Sequence, residues 1–328
     1  MHSLMKRFKR SSEAYLMAVI LLFVVILGVA TPDFLTLNNW VDLIESYSVT
    51  AILAIGLFVV LVTGGIDISF AATASVAQYV AAYAAVRMNL PPPVVLLVGV
   101  MVGTVLGFFN AILIDRLRAT AIIITISSMS VYFALLMYFT GGKSIYGLPG
   151  WWSDSMVLFE VATGPDQSAR FTLPILVMLV VAVFTAFIMN RTSLGRQLYA
   201  MGGNPEAARR VGVSLSTMQW FAYGYLGLLA GVAGLLQAHR VGESVPNAMI
   251  GTELNVVAAA VLGGASLLGG IGSVSGVVLG IFLLAILRNG LNLLGVSPYF
   301  FQIVIGLILL ASTGITGLSL RRRRVAEA

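Results

Sequence analysis

The chain has 328 residues, of which 59% are apolar and only 10% charged, against about 25% charged in a soluble domain. With a mean hydropathy of +0.98, neither a soluble globule nor a disordered chain accommodates that much apolar surface. The net charge of +6 comes from 19 Lys and Arg against 13 Asp and Glu; the basic residues cluster at the termini and between apolar runs, the pattern of membrane topology rather than of nucleic-acid binding.

A helix needs roughly 20 apolar residues to cross the hydrocarbon. In chain order, candidate spans occupy about 14–31, 45–63, 70–88, 93–114, 119–140, 172–190, 216–238, 252–269, 271–288 and 297–317. Glycines crowd at Gly64-Gly65 and from Gly263 to Gly272, which predicts broken or re-entrant helices covered by protein or lining a cavity. The first segment reads as a span and not as a cleaved signal peptide, because its apolar run is too long and Thr31-Pro32-Asp33 lacks the small-residue pattern.

Basic clusters at Lys6, Arg7, Lys9 and Arg10, at Arg116 and Arg118, at Arg191, Arg196, Arg209 and Arg210, and at Arg321 to Arg324 fall on one side of a ten-span chain. Both termini are therefore expected in the cytoplasm. The opposite side receives the acidic residues, among them Asp33, Asp42, Glu45, Asp154, Glu160, Asp166 and Glu243. The longest external loop, 141–171, carries Trp151 and Trp152, read either as interfacial anchors or as solute contacts. Leu61 to Ile66 echoes Val261 to Ala265. A five-plus-five inverted repeat would pair other spans, so the echo carries little weight.

Catalytic patterns are missing from the sequence. There are no cysteines, and two histidines, His2 and His239, are too few for most imidazole metal sites. Gly142-Lys143-Ser144 ends like a phosphate loop, but Met137 stands where the pattern needs glycine, so the stretch reads as a plain loop. Gly270, Gly272 and Gly276 miss a dinucleotide fingerprint by one residue and read as close helix packing. The chain is expected not to be an enzyme; uphill transport would draw on an ion gradient or a partner.

Ionisable residues inside the spans are sparse. Asp67, with Ser69 two residues on, reads either as part of a transport path or gate or as a cap on amides freed by Gly64-Gly65. Asp115 reads as a surface pair with Arg116, Glu253 as the favourable acidic start of the eighth span, and Arg288 as a snorkelling side chain. Gln78, Asn110, Asn292 and Gln302 either line a hydrophilic path or join helices, at about 0.6 kcal/mol per bond.

The most informative stretch runs from Arg191 to Val213. Asn204 suits a helix cap and Pro205 the first helical position. Glu206 falls in the first turn, Arg209 and Arg210 in the last, and Gly212 ends the element. A helix of about two turns between spans six and seven follows.

This segment resembles the loop bearing the coupling helix in permease subunits of ribose-type sugar ABC importers. The resemblance extends over about 260 residues: Phe34-Leu35-Thr36 with Asn39, Gly64-Gly65-Ile66-Asp67-Ile68-Ser69, Thr252-Glu253-Leu254, Ala258 to Leu267, Gly269-Gly270 with Gly272, and Asn289 to Val296. It implies an all-α polytopic protein of about ten transmembrane helices, similar to type II importers, forming one permease domain over 1–328 with a coupling loop at 191–215. It further implies a bacterial inner membrane location, a second permease subunit (the same chain or a related one), an ABC ATP-binding subunit and a periplasmic substrate-binding protein. ATP and Mg would be held by the ATP-binding partner, with no cofactor, metal or nucleic acid on this chain.

Carried over residue by residue, Asn204, Glu206, Ala207, Arg209, Arg210 and Gly212 would dock on the ATPase. Asp67, Ser69, Gln78, Asn110, Asn292 and Gln302 would border the path or its gate. The chain departs from the family pattern at Phe70-Ala71-Ala72, where a valine-glycine-serine run is common, at Asn255, where an aspartate is usual, and at Ala119-Thr120-Ala121. The expected cargo is a monosaccharide or related polyol; the alternatives are a nucleoside, a branched amino acid or a sugar-derived signalling molecule. An ion-coupled carrier acting alone is the reading from another class. It is disfavoured by the coupling segment and by the shortage of intramembrane acids.

Overall fold

The computed structural model describes residues 12–164, 167–297, 299–307 and 310. The basic clusters at Lys6 to Arg10 and Arg321 to Arg324 lie outside these residues, as does Asp166. Among the described residues, seven helices are long and apolar enough to cross a membrane: α1 (Ser12–Ala30), α2 (Leu37–Val62), α4 (Pro92–Leu117), α5 (Ala121–Thr140), α7 (Leu173–Arg191), α10 (Leu215–Val241) and α12 (Val274–Leu293). Two shorter apolar helices, α3 (Phe70–Val86) and α11 (Glu253–Leu262), occupy the third and eighth candidate spans. Residues 299–307 are helical and begin the tenth candidate; most of its remainder lies outside the described residues.

Apolar composition alone does not say which spans sit inside. From Ala51 to Val62 helix α2 is hydrophobic on all sides, and every residue there is buried. Such a helix belongs in the core of a bundle. Helix α10 is buried beside it and packs on α4 through small residues. Gly103 and Gly107 of α4 meet Gly227 and Gly231 of α10 so closely that a methyl group on Gly103 would lie 2.7 Å from the Gly231 nitrogen. Without a hydrophobic drive between helices in lipid, this backbone approach is what lets them pack. Helices α1, α4, α5 and α7 keep most of their apolar side chains exposed, with Leu97, Ile123 and Val183 at 60% or more. These faces meet lipid or protein, not water.

The glycine-rich stretches interrupt the helices where the sequence predicts. Helix α2 ends at Val62, and the chain is non-helical through Gly64 (φ +83°) until α3 begins at Phe70. Helix α11 spans only ten residues, about 15 Å and half a bilayer. Residues 263–273, with Gly264, Gly269, Gly270 and Gly272 at positive φ, continue it without helix. Part of the freed backbone finds partners within the protein: the Gly270 amide donates to the Val62 carbonyl at 2.9 Å.

The long loop is not wholly irregular. It contains a one-turn helix, α6 (Gly150–Ser153), and an antiparallel hairpin, β1 (Val157–Gly164) with β2 (Gln167–Thr172), which the all-α expectation misses. Phe159 stacks on Phe171 across it at 4.3 Å. The hairpin packs at the N-terminal end of α2, where Val41 meets Ala169 and Ile175, and Thr163 bonds Asn38 at 3.0 Å. Trp152 is buried; its Nε1 donates to Leu235 O at 3.1 Å, and its carbonyl meets His239 Nδ1. Trp152 therefore braces the end of α10 and is neither an interfacial anchor nor a solute contact; Trp151 stacks on it, half-exposed.

Candidate functional site

Two ends of the bundle carry candidate chemistry. The end opposite the hairpin holds the segment singled out by the sequence. Here the chain forms α8 (Ser193–Gly203) and α9 (Pro205–Arg210). Helix α9 is built as expected: the Asn204 side chain accepts from the Ala207 amide at 3.0 Å, Pro205 is the first residue, and Gly212 closes the turn at φ +88°. Sequence reasoning missed α8, although the Thr192 side chain accepts from the Gly195 amide as its cap. Asn204, Glu206, Ala207, Arg209, Arg210 and Gly212 are all exposed, and Val211 is 78% exposed; within α9 only Ala208 is buried. A six-residue helix that offers nearly every side chain to its surroundings buries too little to be there for the bundle's sake.

Helix α8 anchors this element. Leu198 is fully buried in the main core, and the Tyr199 hydroxyl donates to Gly272 O at 2.8 Å. Gly202 lies against the Val62 carbonyl, and a methyl on it would come within 2.6 Å of the Gly270 nitrogen. Gly269 closes on Gly64 in the same way: a methyl on it would come within 2.7 Å of the Gly64 nitrogen. Three backbone segments thus meet through glycines: the end of α2, the end of α8 and the loop after α11. Beside them, Ser216 donates to Asp115 Oδ2 at 2.6 Å. Asp115 forms no ion pair with Arg116 among the described residues, because the Ser216 hydroxyl on α10 is the nearer partner.

The six path candidates do not form one site. Asp67, Ser69 and Asn110 are brought together with Tyr132, which sequence reasoning passed over. Asp67 Oδ1 accepts from the Ser69 amide and hydroxyl, both at 2.7 Å. Asn110 donates to Ser69 Oγ at 2.7 Å, and Tyr132 donates to Asn110 Oδ1 at 3.0 Å. All four are buried. Asp67 thus caps its own turn at Ser69; the expected bonds to the Gly64-Gly65 amides are not made, because the carboxylate is turned toward α3 and α4. Gln78 lies apart, its Nε2 donating to Val245 O at 2.7 Å. Gln302 is exposed.

Asn292 lines a polar cleft at the hairpin end of α2 and α12, about 280 Å³ in volume, bordered also by Asp42, Ser46, Tyr47, Arg288 and Phe301. A smaller chamber of about 60 Å³ continues inward past Tyr47 and Arg288 to Asn255 and Thr252. Arg288 stands within α12 and not at its end, and its guanidinium carbon lies 5.6 Å from the centre of the Phe301 ring. It is exposed and its charge faces this cleft, through which a snorkelling side chain can stay solvated. No signal in the sequence ties Tyr47 to Arg288, 241 positions away.

These features define a multi-pass membrane protein of the permease class: interrupted spans, a polar cleft and a protruding helix on the face away from it. The model of the family described as branched-chain amino acid transport system / permease component matches residues 39–313. The chain belongs to this family. It is 31% identical to the ribose import permease protein RbsC of Haemophilus influenzae, covering 93% of each chain. It is also 31% identical to the galactose/methyl galactoside import permease protein MglC of Escherichia coli (95% of this chain, 96% of the relative). To the autoinducer 2 import system permease protein LsrC of Yersinia pestis the identity is 32% (94% and 85%). No solved structure matches.

Proposed function

We propose that this chain is the translocation subunit of an ATP-driven, binding-protein-dependent importer of a monosaccharide or related polyol, seated in a bacterial inner membrane. An ATP-binding partner would hydrolyse ATP-Mg on the α9 side, a binding protein would deliver solute on the hairpin side, and a second permease chain would complete the pore. The observation that carries this is α9: a capped, almost wholly exposed helix set on a glycine junction that reaches the core. The import functions named for relatives about 31% identical over nearly the whole chain support the cargo class.

The chemistry of coupling follows from the packing. Force on Glu206, Arg209, Arg210 and their neighbours passes through α8, which is seated in the core by Leu198. Gly202 bears directly on the Val62 carbonyl and the 263–272 loop. Helix α2, 26 residues long, is a stiff rod of about 39 Å, and its other end walls the cleft with α12. Displacement at one end is thereby delivered to the other as a rigid-body shift. Asp67, Ser69 and Asn110, proposed from sequence for the path, serve better as a brace beside the hinge, since each is spent on a neighbour; Asn292 keeps its place on the path.

Co-purification of the full chain from its host in mild detergent, with mass spectrometry of what accompanies it, tests the reading. An ABC ATP-binding subunit in the complex is expected. A solitary chain at low salt overturns it and turns attention to ion-driven uptake.

A further inference from the structure

Arg288 is the one arginine that the structure places well inside a membrane-length helix and against a cavity within the described bundle. An intramembrane charge is expensive and normally has a partner. Yet among the described residues no carboxylate lies within ion-pair distance of it. Across the cleft the Tyr47 hydroxyl is buried; the Arg288 guanidinium is near enough to interact with it, but no hydrogen bond of full geometry to any described residue closes. An exposed guanidinium and a buried hydroxyl short of a full hydrogen bond therefore face each other at the neck between the outer cleft and the inner chamber. A buried hydroxyl such as that of Tyr47 is rarely left so unless a ligand or water completes it.

We propose that this neck is a solute station, in which Arg288 and Tyr47 bind a single-ring, neutral, polyhydroxylated molecule. The proposal rests on the permease reading and names the contact residues that reading lacks. Size favours one ring: the outer cleft of about 280 Å³ is at the lower bound of small-molecule pockets, roughly 300 Å³. Charge favours a neutral solute, because Asp42 on the outer wall opposes Arg288, and an anion drawn to the guanidinium passes that carboxylate. Hydrogen-bond capacity favours hydroxyls. Arg288 only donates, Tyr47 does both, and Asn255 on the inner side and Asn292 on the outer side each offer a donor and an acceptor. The Phe301 ring supplies an apolar flank to the guanidinium.

The test uses the intact importer, this chain with the ATP-binding and binding proteins that accompany it, and labelled ribose, galactose and gluconate as probes. The parental importer is expected to take up at least one of the two neutral sugars and to exclude gluconate. Arg288→Gln and Asn255→Ala are each expected to lower sugar uptake about tenfold, the loss of one charge-assisted or strong hydrogen bond, with membrane insertion and ATPase activity of the complex unchanged. Uptake at the parental rate in both variants overturns the station, as does parental uptake of gluconate in preference to the sugars. Should Arg288→Gln fail to insert, Asn255→Cys decides in this cysteine-free chain. Block of uptake by a membrane-impermeant thiol reagent, slowed by sugar-loaded binding protein, supports the station, and indifference to the reagent overturns it. A parental importer that takes up neither sugar while its ATPase runs overturns the sugar reading, and the station with it.

Discussion

The amide of Gly270 donates to the carbonyl of Val62 at 2.9 Å. This bond joins the loop after α11 to the last turn of α2, which would otherwise leave that carbonyl unpaired at a helix terminus. The same carbonyl is where Gly202 of α8 presses in, so one oxygen is the meeting point of three segments.

Adding a side chain at this point separates the parts. Gly202→Val is expected to abolish uptake while the complex still assembles and hydrolyses ATP, because the displaced α8 no longer bears on α2. Overpacking of this kind costs roughly 1–3 kcal/mol, so the thermal midpoint falls as well. Uptake and ATPase assays on the purified complex check it; coupled transport at the parental rate refutes a transmission role for the junction.

Helix α9 offers a graded series. Asn204→Ala removes the cap on the Ala207 amide, a loss of about 1 kcal/mol, and is expected to weaken stimulation of the ATPase by solute-loaded binding protein. Asn204→Asp restores it. Gly212→Val forces a branched residue into φ +88°, at a cost of roughly 1–2 kcal/mol, and Glu206→Lys reverses charge in the first turn. Both are expected to uncouple hydrolysis from uptake with the bundle still inserted; normal uptake in either would count against docking through α9.

The brace at Asp67 predicts the opposite pattern. Asn110→Leu removes one bond each from Ser69 and Tyr132, which keep only Asp67 and the Leu106 carbonyl, a loss of about 1 kcal/mol per bond. Thermal stability in detergent should drop, while uptake per folded molecule and the KM for solute hold. A changed KM with unchanged stability would return these residues to the path.

The seam between α4 and α10 is expected to tolerate nothing larger than glycine at its centre. Gly227→Leu would drive a branched side chain into the Gly103 carbonyl and the Gly107 Cα, and the variant is expected not to accumulate as a monodisperse species in fluorescence-detected size exclusion. Gly203→Ala, which meets nothing within 4 Å, is the control.

The legible parts of this molecule are those set by neighbours in sequence. Apolar runs mark the helices, and Asn204, Pro205 and Gly212 mark α9, because caps and φ preferences act over a few residues. The glycine interruptions were legible too. The echo between Leu61 to Ile66 and Val261 to Ala265, given little weight as a repeat, is a local likeness with a spatial meaning. Both stretches end a helix, both place a glycine (Gly64, Gly264) near φ +85°, and the two loops pack side by side.

What escaped was set by distant partners. Asn39 and Asn289 exchange hydrogen bonds at 3.2 and 2.8 Å across 250 residues, and no periodicity announces such a pair. Trp152 reads as an anchor until Leu235 and His239 take up its polar atoms. Arg288 reads as snorkelling, and only the bundle shows the cleft it faces. Of the six polar residues nominated for the path, only Asn292 borders that cleft; hydropathy marks a polar residue in a span but not which way it turns.

Helix α9 and its glycine seat divide the freedom of this chain to change. At Gly202, Gly269 and Gly270 even one methyl collides with backbone, so drift there is closed off whatever partner the chain works with. Glu206, Arg209 and Arg210 are exposed. On the docking proposed for α9, a lineage of such chains could swap the hydrolytic engine it answers to by rewriting a handful of surface letters, while the linkage behind them is inherited unaltered.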